Sequence, residues 1–95
     1  MANKDTLKDI RNKIDQLDLS ILKSLSQRVE LVIKAGKIKK LSKDTSFYKP
    51  EREAQIIRTI ISNNKSSLSK ESLEIIYKEI ISACFVSCLL YTSDA

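Results

Sequence analysis

The chain has 95 residues and a net charge of +5, with 17 lysines and arginines against 12 acidic residues and no histidine. That length makes at most one small domain, which buries only about 60–65% of its unfolded surface, so the core of a single chain is thin. A metal site is not expected without histidine or a Cys-x-x-Cys pair, and the basic balance suits either a lysine-coated surface or an anionic partner.

The N-terminal stretch "MANKDTLKDIRNK" is polar and reads as the start of a helix rather than as a signal peptide. From Leu7 the apolar residues fall at Ile10, Ile14, Leu17, Ile21, Leu25, Val29, Val32 and Ala35. Steps of three and four trace one helical stripe, and the spacing predicts a first helix from about Asp5 to Leu41. At 1.5 Å per residue such a helix is roughly 50 Å long, more than a compact monomer of this size can use. Gly36 is its weak point, costing about 1 kcal/mol against alanine.

"SKDTS" (Ser42–Ser46) reads as a loop. In "YKPEREA" (Tyr48–Ala54), Pro50 is the only proline and suits the first turn of a second helix, where its missing N–H costs nothing. Glu51 and Glu53 complement the positive end of that helix, and Ile56, Ile57, Ile60 and Ile61 supply its buried face. "SNNKSS" (Ser62–Ser67) ends it. Ser69 is an N-cap for a third helix, with Leu68 and Leu73 at the two positions of a hydrophobic staple. Leu73, Ile76, Tyr77, Ile80, Ile81 and Cys84 carry its apolar stripe.

Cys84 and Cys88 lie one turn apart on this helix, so a bond between them would close almost no loop, and a partner chain remains as the source of extra stability. The apolar run Ile80–Tyr91 is broken by Ser82 and Ser87 and falls short of the roughly 20 residues a bilayer needs. The expectation is a cytoplasmic protein with reduced thiols, and no membrane partner. The final eight residues, "CLLYTSDA" (88–95), resemble the translation of a sequencing-library transposon adapter. The domain is therefore expected to span 1–87, with 88–95 an artefact tail. Without Asp94, 17 basic residues face 11 acidic ones, a charge of +6.

Four cations stand apart from the solvated lysines. Arg28 follows Leu25 by three and precedes Val32 by four, inside the apolar stripe. Lys39 lies three turns further on, on nearly the same face and about 16 Å along the axis. With Arg52 from the second helix these become a candidate pocket for a small anion. Arg11 lies about 25 Å from Arg28 on the same helix, too far to hold one small ligand with it. In a dimer of antiparallel long helices, Arg11 of one chain could approach Arg28 of the other.

These segments carry a resemblance. "LKDIRNKIDQLDLSILKSLSQRVELVIKAGKIKK", then "YKPEREAQII", then "IYKEIISAC" resemble the all-helical chorismate mutases, most of all the N-terminal domain of bifunctional chorismate mutase–prephenate dehydratases. The resemblance implies an all-α fold: three helices, one very long and two short, in an intertwined homodimer. It implies conversion of chorismate to prephenate, in phenylalanine and tyrosine biosynthesis. By position, Arg11 of the partner subunit and Arg28 would bind the substrate carboxylates, Lys39 a carboxylate and the ether oxygen. Arg52 would add positive field, and Glu53 would accept the ring hydroxyl. Cys84 stands where relatives often carry a small residue such as serine, and also reads as a small buried hydrophobe. Cys88 stands where they carry glutamine or glutamate as a second donor to the ether oxygen; a thiol donates weakly. Lys49 lies near a position that is acidic in some relatives.

This residue set fits the reaction. A Claisen rearrangement is intramolecular and needs no nucleophile, metal, cofactor or proton shuttle. It needs a flexible dianion held in a compact reactive shape and a cation facing the oxygen on which charge grows. The alternatives are an isochorismate pyruvate-lyase on the same scaffold, a truncated and weakly active mutase domain, and a basic helical dimer that binds nucleic acid through "KIKK" (Lys37–Lys40). The inward Arg28 and the lack of a recognition motif argue against nucleic acid.

Overall fold

The computed structural model describes residues 6–41 and 49–92, and among them it is built from helices alone. Helix α1 runs Leu7–Leu41, α2 Pro50–Ser62 and α3 Lys70–Thr92. The predicted loop Ser42–Ser46, the Asp5 start and the last three residues of the tail lie outside the described residues.

Each helix starts at a side chain suited to starting it. Thr6 and Asp9 form a reciprocal cap: the Asp9 N–H donates to Thr6 Oγ1 (3.1 Å), and the Thr6 N–H donates to Asp9 Oδ2 (3.2 Å). Two of the N–H groups that no helical carbonyl can reach are thereby satisfied. α2 begins at Pro50, with Glu51 and Glu53 in its first turn, as the sequence predicts. α3 is capped by Ser69, whose Oγ accepts from the Ser72 N–H at 3.0 Å. Between them, Asn64 organises the turn: its Oδ1 accepts from the N–H and hydroxyl of Ser66, and its Nδ2 donates to the Leu68 carbonyl at 2.9 Å.

α3 packs along both α1 and α2, while no comparable packing joins α1 to α2 among the described residues. The apolar side chains that this buries are few: Leu73, Cys84 and Cys88. The staple residue Leu73 is covered, but Leu68 remains 47% exposed. Ile56, Ile57, Ile60 and Ile61 of α2 are half-buried rather than enclosed. Among the described residues α2 has only α3 to lean on, so its apolar face is covered from one side.

The outline is long, 60 × 27 × 16 Å, with a radius of gyration of 17.4 Å. A compact chain of this length would have about 12 Å. The difference lies in the first half of α1, where every residue from Thr6 to Ser24 is exposed. Its apolar stripe is uncovered: Ile14 is 50%, Leu17 62% and Ile21 55% exposed. The second half of α1 meets α3, and there the site forms.

Candidate functional site

Where the three helices converge they enclose a cavity of about 670 Å³. α1 contributes Arg28, Leu31, Val32, Ala35, Gly36 and Lys39. Their spacing follows from the helix: 28, 32, 35 and 39 repeat every three to four residues, so one face supplies two cations with apolar surface between them. Arg28 and Lys39 are half-buried. Gly36 is buried beside them, and its lack of a side chain leaves the cavity its depth at this point.

α2 and the residue before it contribute Lys49, Arg52, Glu53 and Ile56. Glu53 is half-buried and its N–H donates to the Lys49 carbonyl at 3.0 Å, closing the first helical turn. Arg52 is exposed and its Nη1 donates to Gln55 Oε1 at 2.8 Å, which holds the guanidinium along the helix surface. α3 contributes Ile81, Cys84, Phe85 and Cys88. The Cys88 thiol reaches across to the Val32 carbonyl, with Sγ 3.8 Å from the oxygen, linking α3 to α1.

Six of the seven residues singled out in the sequence thus line one cavity: Arg28, Lys39, Arg52, Glu53, Cys84 and Cys88. Arg11 does not. It lies on the exposed half of α1, about 25 Å along the axis from Arg28. Lys49, noted in the sequence only for its sign, also lines the cavity, as do Gly36 and Phe85. Their signals were present but weak: Gly36 sits between two cavity residues, and Lys49 adjoins the proline that starts α2. The cavity carries four cations against the single carboxylate of Glu53. Its other walls are apolar, so charge is offered to an anion at fixed points on a surface that binds water poorly. Among the described residues no cluster of acidic, cysteine or histidine side chains could hold a metal ion, and no helix is long and apolar enough to cross a membrane.

The chain as a whole is similar to known proteins. The family model described as chorismate mutase type II matches residues 10–86. The chain is 35% identical over 88 residues to a bifunctional chorismate mutase/prephenate dehydratase of Stutzerimonas stutzeri, covering 88% of this chain and 24% of that protein. It is 38% identical over 84 residues to the protein of the same description from Aquifex aeolicus, covering 84% and 23%. It therefore spans about a quarter of the length of the curated relatives it matches. Among solved structures it superposes on a chorismate mutase from Thermus thermophilus with a TM-score of 0.80 at 25% identity, over 84% of this chain and 90% of that one.

Proposed function

We infer the function from the premise that this chain belongs to the type II chorismate mutase family: it is an isomerase that converts chorismate to prephenate. The observation that carries the reading to the site is the grouping of Arg28, Lys39, Arg52 and Glu53 around one cavity. Chorismate is a dianion with an enolpyruvyl ether. The rearrangement breaks that C–O bond while a C–C bond forms, with no proton transferred and no external group consumed.

The resemblance implies a role for each residue, and the chemistry of each suits it. Arg28 presents a planar fork that matches a carboxylate in two-point contact. Lys39 is a compact charge suited to a single oxygen, so it faces the ether oxygen and one carboxylate, stabilising the negative charge that grows as the bond breaks. Glu53 accepts the hydrogen bond of the ring hydroxyl. Arg52 adds positive potential at the rim. Cys84 gives the wall its small size. Together these hold the dianion in the folded, chair-like shape from which it reacts.

Two features extend beyond one protomer. The uncovered stripe of α1 and the distance of Arg11 from the cavity support an intertwined homodimer in which Arg11 of the partner subunit completes the carboxylate site. The reading also places the protein in the cytoplasm, in aromatic amino acid biosynthesis, with neither nucleic acid nor a membrane as a partner. Any dehydratase activity would belong to the part of the relatives that this chain does not span.

Chorismate consumption by the purified chain, followed beside Cys88→Gln, tests the assignment. The expected result is measurable turnover by the chain and faster turnover by the variant. A folded helical dimer that leaves chorismate unchanged in both forms would remove the mutase reading and raise the isochorismate pyruvate-lyase alternative, which the same assay with isochorismate would read.

A further inference from the structure

The cations of the cavity are held in different ways. Arg28 and Lys39 are half-buried on α1, so packing limits their side chains. Arg52 lines the same cavity but is exposed, and it stands in the first turn of α2, at the end of the helix that repels a cation. A long exposed arginine spreads over many rotamers unless something restrains it. The restraint here is Gln55: Arg52 Nη1 donates to Gln55 Oε1 at 2.8 Å. The two residues lie three apart on one helix, the spacing at which side chains meet. Donor and acceptor are therefore carried on the same rigid element. Gln55 is itself exposed and forms no part of the cavity wall.

We propose that Gln55 is a positioning residue for Arg52: its side-chain oxygen holds the guanidinium where the cavity can use it. The proposal rests on the mutase reading and deepens it at the same site. The bond takes up one N–H of the guanidinium fork, and the remaining N–H groups can still donate to an anion. An anion that enters therefore meets a cation already ordered, and less rotamer freedom is lost on binding. Gln55 needs no contact with substrate for this. Its effect passes through Arg52, so it vanishes when the Arg52 side chain is removed. A residue that merely supports α2 would matter with or without Arg52. What position 55 must supply is an acceptor oxygen at that reach, which glutamate also carries and alanine does not.

Steady-state kinetics with chorismate test this on the intact chain, Gln55→Ala, Gln55→Glu, Arg52→Ala and the double variant Arg52→Ala/Gln55→Ala. Alanine is a good helix former, so α2 should persist in each. With Arg52 present, Gln55→Ala is expected to lower kcat/KM about three- to fivefold, the size of one exposed hydrogen bond. Gln55→Glu, which keeps an oxygen in place, should recover most of that loss. In the Arg52→Ala background the same Gln55→Ala change should move kcat/KM by less than about 1.5-fold. An unchanged kcat/KM in Gln55→Ala overturns the proposal. So does an equal loss in both backgrounds, or a Gln55→Glu variant as impaired as Gln55→Ala. If the wild-type chain itself leaves chorismate unchanged, the mutase reading fails independently. Calorimetric titration with prephenate, a dianion whose binding needs no turnover, then decides on Gln55. Weaker binding by Gln55→Ala only when Arg52 is present supports its role, and equal binding, or none by either chain, ends it.

Discussion

Arg28 is half-buried and lines the cavity, and in the proposed mechanism it makes the two-point contact with a substrate carboxylate. Arg28→Ala should leave the helical content intact and lower kcat/KM by at least about two orders of magnitude, as expected for loss of a charge-assisted contact to a carboxylate. Near-normal turnover by a folded variant would remove Arg28 from the site. Cys88 presents the opposite case. Its thiol is 3.8 Å from the Val32 carbonyl, so its weak donor is directed at the α1 backbone. Replacing it with glutamine supplies a strong donor long enough to reach the cavity. Restoring one such donor is worth about 10²–10³ in rate in comparable sites, so Cys88→Gln should raise kcat, and an unchanged kcat would mean that position 88 is structural only. At Gly36 the interests of helix and site diverge. Gly36→Val gains helix propensity but puts a branched side chain at a buried position, so it should lower stability by about 1–3 kcal/mol. It should lower kcat/KM about tenfold or more, because the added carbons occupy cavity space. A thermal melt beside the kinetics separates the two effects.

At the scale of the elements, the helix starts were legible because their causes are local. Pro50, Ser69 and the Glu51–Glu53 pair act within a few residues, and the chain places α2 and α3 where these predict. Ser69→Ala should destabilise the protein by about 1 kcal/mol, read as a lower urea midpoint at constant slope; an unchanged midpoint would show that α3 is held by packing alone. The burial of α2 was less legible. Its isoleucines mark a face, but the pattern cannot say how many neighbours that face has, and among the described residues α3 is the helix packed on it. The same limit applies to Leu68: the staple spacing is present, yet 47% of the residue remains exposed.

At the scale of the whole molecule, the proposed homodimer would account for two features of the single chain together. The stripe from Leu7 to Ile21 is uncovered, and an apolar face of that extent in water favours association. Arg11 lies on that same half-helix, away from the cavity, and the proposed dimer would bring the partner's Arg11 to it. Leu17→Glu places a charge in the middle of the stripe. The variant is expected to sediment as a monomer, to melt at a lower temperature that no longer depends on protein concentration, and to lose turnover although Arg28, Lys39 and Glu53 are untouched. A Leu17→Glu variant with full activity as a monomer would show that the partner contributes nothing to the site.

The sequence by itself determined the helical class, the length of α1, the starts of α2 and α3, and the membership of most of the cavity. These depend on periodicity and on chemistry within a turn or two, and a straight helix converts spacing into geometry: Arg28 and Lys39 share a face because eleven residues make about three turns. Tertiary structure decided what periodicity leaves open. It set which apolar faces are covered, brought Lys49 and Phe85 into the cavity, directed the Cys88 thiol at the Val32 carbonyl, and gave Gly36 a purpose where the sequence showed only a weak point. Each of these depends on how α3 lies across α1 and α2. That docking is a sum of many small contacts between residues far apart in the chain, and no short stretch of sequence contains it.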